Sequence, residues 1–107
     1  MKKLLLILMI PFLSFGQDVC SNFNDYGIVI KEDVCGLGNA IIKTSDGWYI
    51  AAEHYGGTYL YEGDYVCGDL KTYGFEDVYS PSRNAWINFY IEDYEVRLSS
   101  AYDELCD

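Results

Sequence analysis

His54 is the one histidine in the chain. With Glu53 beside it, it is the first place to look for proton transfer or metal binding, because an imidazole titrates near neutral pH. Strand alternation sets His54 on one face with Trp48, Ile50 and Ala52 and sets Glu53 on the other. A lone histidine next to the Gly56-Gly57 turn is more often a rim residue than a base. No serine or cysteine stands in a nucleophile-elbow setting, so acyl transfer lacks an attacking group. Acids are numerous, 17 Asp and Glu in 107 residues, and a small hydrolase built on His54 and a pair of them is the enzyme reading. Its chemistry needs two carboxyls at a set separation across a cleft, which spacing along a chain does not reveal.

Two acidic stretches have the hard oxygen ligands that calcium prefers. Glu92, Asp93 and Glu95 gather at a strand end, and Asn22, Asn24 and Asp25 precede Gly27. Neither matches an EF-hand loop, since Tyr26 takes a ligand position and the closing bidentate glutamate is missing. Both read first as solvated acidic loops, and no cofactor motif is present.

The tyrosines say more. Eleven of them, with Trp48 and Trp86, are more aromatic side chains than a core of this size holds, so some rings face water. Tyr49 and Tyr55 fall on the opposite face from Trp48 and Ile50. Tyrosine offers a large rigid area with a polar tip at little entropic cost. Tyr49, Tyr55, His54, Tyr59 and Tyr61 are therefore the expected binding surface, against the plainer reading that cross-strand aromatic pairs only stabilise the sheet.

Position along the chain gives these residues their setting. Lys2 and Lys3 precede an apolar run from Leu4 to Leu13, followed by Ser14, Phe15 and Gly16. That order predicts a signal peptide over residues 1–16 and a single small β domain over residues 17–107. The run falls short of the roughly 20 residues a membrane helix needs, so no membrane span is expected in the mature chain, which would be periplasmic or extracellular. Cys20 lies too far from the small-residue box for a lipid anchor. Losing residues 1–16 removes two lysines from a net charge of −10 and leaves −12 on 91 residues.

So short a chain buries a modest core and needs covalent help. Cys20, Cys35, Cys67 and Cys106 all lie in the mature part, and an even count in an exported chain reads as two disulfides. Their wide spacing lacks the paired knuckles of a zinc site. Three pairings are open. Cys20–Cys106, tying the ends, with Cys35–Cys67, crossing the body, is the one expected here. Each bridge would stabilise by about 3 to 5 kcal/mol in the chain-entropy model.

Short strands fill the rest. Tyr26–Lys31 alternates, and Asn39–Ser45 follows the Gly36-Leu37-Gly38 break. Asp46-Gly47 then predicts a two-residue type I′ hairpin into Trp48–Tyr55. A short strand at Thr58–Tyr61 and another over Asp64–Thr72 complete a meander. Gly74–Asn84, with Pro81 and no consistent period, reads as a long loop. Trp86–Asp93 puts Ile87, Phe89 and Ile91 on one face, with Tyr94–Leu98 extending the strand. Ser100 and Asp103 fit a capping box for a short helix carrying Ala101, Leu105 and Cys106. The fold class is mainly β: a small antiparallel barrel or strongly curved meander of five to seven strands with a short C-terminal helix, stabilised by disulfides. An open sandwich is the alternative.

At Gly63-Asp64-Tyr65-Val66-Cys67-Gly68 the chain resembles the G-D-x-V-x-G strand start of OB-fold and related small barrels, and it is similar to short exported proteins of Gram-negative bacteria. The resemblance implies a fold and no functional residue. Nucleic-acid-binding members use a basic groove, whereas five mature Lys and Arg face 17 acids here, so no nucleic acid is expected. A charge of this sign steers cationic partners inward. The leading expectation is an exported acidic binding module for a basic protein, such as a basic secreted hydrolase, or for a glycan. The alternatives are an envelope component with no ligand and the hydrolase above.

Overall fold

Ile87, Phe89 and Ile91 alternate with Trp86, Asn88 and Tyr90, and that two-residue period makes the longest strand of the molecule. The computed structural model describes residues 19–106; the expected leader and its cleavage point lie outside the described residues. Six strands follow in order: β1 (Asp25–Lys31), β2 (Ala40–Thr44), β3 (Tyr49–Gly57), β4 (Tyr65–Gly68), β5 (Gly74–Ser80) and β6 (Ala85–Val96). Helix α1 (Leu98–Cys106) ends the fold. All pairings are antiparallel, and the order β1-β2-β3-β6-β5-β4 closes on itself as a barrel, which excludes the sandwich. Two three-stranded meanders are thus joined at β3–β6 and at β1–β4.

The interior is filled by Val29, Ile42, Ile50, Ala52, Leu60, Val66, Leu70, Val78, Ile87, Phe89 and Ile91 with Ala40. Two smaller clusters lie outside the wall. α1 lays Ala101 and Leu105 on Ile41, Ala51 and Val34, with Tyr49, Val96 and Ile30 at the margin. The segment 19–23 lays Val19, Cys20 and Phe23 on Cys67 and Tyr79. Strand order puts these two coverings on opposite sides of the barrel.

The disulfides follow from that placement and correct the expected pairing. Cys20 bonds Cys67 and Cys35 bonds Cys106, each with Cα atoms 5.5 Å apart. Cys20–Cys106 is ruled out because the two terminal segments dock on opposite sectors of the wall. Cys35–Cys67 fails for the same reason: Cys35, in the β1–β2 loop, reaches the end of α1, whereas Cys67 points outward from β4 beneath the N-terminal segment.

Local departures also have physical causes. The β2–β3 connection is a three-residue loop, Ser45-Asp46-Gly47, closed by Thr44 N–H to Trp48 O at 2.9 Å and Gly47 N–H to Thr44 O at 2.9 Å. Gly47 has φ of 92° while Asp46 is outside the left-handed region, so the turn is not type I′. Its Asp46 carboxylate instead accepts from the Thr44 hydroxyl and from Trp48 N–H. Gly74–Ser80, expected as loop, is β5, paired with β6 along its whole length. The polarity there is inverted: Glu76 and Ser80 share the inner face with Val78, while Phe75 and Tyr79 point outward. Thr58–Tyr61 joins β3 to β4 without strand pairing. Ala101 N–H donates to Arg97 O at 3.0 Å, so α1 starts before Ser100, which lies inside the helix rather than at its cap.

Closure is uneven. β4 and β5 share one residue pair, Cys67 with Tyr79. Beside it, side chains stand in for the ladder: Ser80 Oγ donates to Tyr65 O at 2.7 Å, and Tyr65 N–H donates to Ser82 Oγ at 2.9 Å. At the β3–β6 crossing the backbones are tight. Gly57 has φ of +85°, and a Cβ there would stand 2.5 Å from the Trp86 carbonyl oxygen, so the position requires glycine.

Candidate functional site

Between the two covered sectors the outer wall of β3, β6 and β5 is open, and cross-strand register gathers its rings. Tyr90 lies directly across from Glu53 on one side and from Phe75 on the other. Phe75 meets Tyr90 edge-on at 4.9 Å and Tyr55 edge-on at 4.9 Å, and Tyr55 lies 6.3 Å from Tyr90. Edge-to-face contacts of this kind hold rings in place beyond their burial. Tyr55 and Phe75 remain 58% and 57% exposed. Beyond the bulge in β6, Tyr94 packs against the interior cluster and pairs with Tyr73 at 4.8 Å, and Tyr73 donates to Asp93 at 3.3 Å. Asn88 Nδ2 donates to Asp77 at 3.0 Å on the other flank.

Carboxylates rim the rings. Glu53 and Glu92 contact each other through their side chains; burial, then that contact, then the charges of Glu53 and Glu104 push Glu92 above the ordinary glutamate range. On the inner face of β5, burial first, then Asp69 and Asp77, raises Glu76. The charge of Asp93 is the first cause raising Tyr73. The face is therefore aromatic at its centre and anionic at its border.

The five residues expected as one surface are divided. Tyr55 belongs to the ring cluster. Tyr49 is half-buried, packed against the cluster beneath α1. His54 follows Ile50 and Ala52 to the inner side and ends at a barrel mouth, stacked on Tyr59 at 4.4 Å with Phe89 edge-on at 6.0 Å; Trp48 precedes the strand and is exposed. His54 Nε2 lies 3.1 Å from Gly57 O and 3.2 Å from Thr58 O. Both partners are acceptors, so this nitrogen carries the proton and pins the turn. Tyr61 lies beneath the Arg83 guanidinium at 4.6 Å, and Arg83 in turn pairs with Asp64 at 2.7 Å.

The calcium candidates diverge. Glu92 turns to Glu53, Asp93 accepts from Tyr73 and from Tyr94 N–H, and Glu95 lies 3.9 Å from Lys71. Asp25 accepts from Leu70 N–H at 3.1 Å. Among the described residues no group of three His, Cys, Asp or Glu is placed to hold a metal ion. A second open sector, across β4, β1 and β2, carries a shallow groove of about 220 Å³ lined by Tyr26, Ile28, Tyr65 and Lys43.

Comparison with known families, characterised proteins and solved structures finds no match to this chain. The site must speak for itself. Phe75, Tyr90 and the Glu53–Glu92 pair were missed by sequence reasoning. The signal for Tyr90 was present in the outward half of β6, whereas Phe75 was hidden in the inverted polarity of β5.

Proposed function

We propose that this protein is an exported acidic binding module that presents the β3–β6–β5 face to a basic protein. One observation carries the proposal: Tyr55, Phe75 and Tyr90 form an uncovered ring cluster, held by mutual edge-to-face contacts and bordered by carboxylates. An exposed apolar patch rimmed by polar groups is the usual mark of a partner site. The charge supplies direction, since an acidic rim draws cationic partners and repels nucleic acid. Two disulfides, and the lack among the described residues of any helix long and apolar enough to cross a membrane, agree with maturation in an oxidising compartment outside the inner membrane. The hydrolase reading has less support, because among the described residues the His54 ring hydrogen-bonds backbone carbonyls and pairs with no carboxylate.

Binding to a panel of proteins of graded isoelectric point, with uncharged oligosaccharides alongside, tests the reading. Basic proteins should be retained and lose about tenfold in affinity between 50 and 300 mM salt, as the Debye length shrinks. Replacing Tyr55, Phe75 and Tyr90 together by serine should abolish retention while the circular dichroism spectrum stays unchanged. Equal retention of acidic and basic proteins, or retention of the oligosaccharides alone, would overturn it.

A further inference from the structure

The loop between β1 and β2 is built against local preference. Cys35, Gly36, Leu37 and Gly38 follow one another with φ of 53°, 82°, 64° and 76°, and Asp33 has φ of 50°. Residues with a side chain visit that region singly and at a cost, so Asp33, Cys35 and Leu37 persist there only because their surroundings hold them. The loop is held from several sides. The Asp33 carboxylate accepts from Gly38 N–H at 2.9 Å, Gly36 N–H donates to Asp33 O at 3.1 Å, and Val34 N–H donates to Asn39 O at 2.8 Å. Val34 is buried beneath α1, Asn39 Oδ1 accepts from His54 N–H at 3.0 Å, and the Cys35–Cys106 bridge fixes the loop to the end of the helix. What this bracing presents to water is a leucine. Leu37 is 81% exposed, the most exposed large apolar side chain among the described residues. Its neighbour Gly38 rests directly on the ring of Tyr59, itself 52% exposed, so leucine and ring stand side by side at the barrel mouth. Carboxylates border them. Glu32 and Asp33 lead into the loop, and Glu62 N–H donates to Glu32 Oε1 at 2.8 Å; among the described residues none of the three forms an ion pair.

We infer that Leu37, with Tyr59 beside it, is an anchor that seats in an apolar pocket of the basic partner, whose cationic border meets Glu32, Asp33 and Glu62. The inference rests on the binding reading above for the class of partner and adds a contact outside the β3–β6–β5 face. Folding does not account for this leucine, because its side chain adds nothing to the core while its backbone occupies a region that favours glycine. Binding does account for it. A pre-ordered loop leaves little conformational freedom to lose on association, and the exposed side chain leaves water as it enters the pocket. The acids lie around the apolar contact, as polar groups do at the rim of an anchoring residue, and they set the sign of the surface that fits. A second copy of this chain fits less well, since it would bring like charges together.

Affinities of the oxidised protein for purified proteins of graded isoelectric point test the anchor. For the basic protein held most tightly, Leu37→Gly should weaken binding by about tenfold or more, and Leu37→Met should keep it within about threefold of the wild type. Leu37→Gly should leave the melting temperature unchanged or raised, because the position favours glycine. Glu62→Gln should flatten the salt dependence. Methyl spectra should show the Leu37 resonances moving when that protein is added. Unaltered affinity of Leu37→Gly, unmoved Leu37 methyls, or a melting temperature lowered by Leu37→Gly would overturn the anchor. If the Tyr55, Phe75 and Tyr90 triple variant still loses that protein, the wider reading stands without it. A wild type that holds no basic protein would overturn both.

Discussion

β3 and β6 present the same outer wall to two different environments. Near one end, Ala51 and Val96 lie under α1, where Ala101 and Leu105 seal them from water. Further along the same strands, Glu53, Tyr55 and Tyr90 lie outside the helix and stay in contact with solvent. What differs is side-chain size and tip. A methyl group at Ala51 lets the helix come down onto the sheet, whereas the tyrosines hold a neighbour off and carry hydroxyls that remain hydrated. The covered region is a packing solution; the open one spends apolar area that folding does not bury, which is why it reads as a contact surface.

The largest break in this contrast comes from untying the covering. Replacing Cys35 and Cys106 together by serine should lower stability by about 4 kcal/mol, because the bridge spans 71 residues. Denaturant unfolding should show it, and near-ultraviolet spectra should report the release of Tyr49 and Tyr102 from beneath and within α1. A smaller change exchanges the characters of the two regions. Ala51→Tyr should cost about 1 to 3 kcal/mol through overpacking against the helix, while Tyr55→Ser costs no more than about 1 kcal/mol and acts on binding instead. Similar losses for both substitutions would erase the distinction between the regions.

The smallest effect concerns the hairpin that leads into β3. Asp46 is held at about 2, below its ordinary 3.8, first by its hydrogen bond to Lys71 and next by that to Thr44. A depressed carboxylate stabilises fully above its unfolded value and loses that contribution as pH falls through the folded one. Carbon chemical shifts of the Asp46 carboxyl should therefore titrate near 2, and Lys71→Met should return the midpoint toward 3.8. An unchanged midpoint would mean that Thr44 and Trp48 alone hold the charge.

Much of this architecture was legible beforehand, and the lapses have a shared cause. Period-two patterning revealed β1, β2, β3 and β6, because the interior sees one face of each. The short helix carrying Ala101, Leu105 and Cys106 was also legible, as the terminal α1. β5 was lost because its outer residues, Phe75 and Tyr79, are aromatic for opposite reasons: one belongs to the open cluster, and the other lies beneath Phe23 and Cys20. Its inner face, meanwhile, holds Glu76 and Ser80. The cysteine pairing depends on which sector each terminal segment occupies, a property of closure that no local pattern encodes. The ring cluster has the same origin. Tyr90 meets Phe75 only once β5 is registered on β6, and a one-residue slip would turn either ring inward.

The single ladder pair between β4 and β5 gives the cylinder a parting line. Its one full rung includes Cys67, whose sulfur is bolted to Cys20 from outside, and Phe23 beside that bolt braces Trp86 across the same line. Cutting that bolt would leave the opposite flank clamped by α1 and its own bridge. The wall would then peel back from one edge and lay bare Val66 and Val78, as a rolled sheet springs open along its overlap.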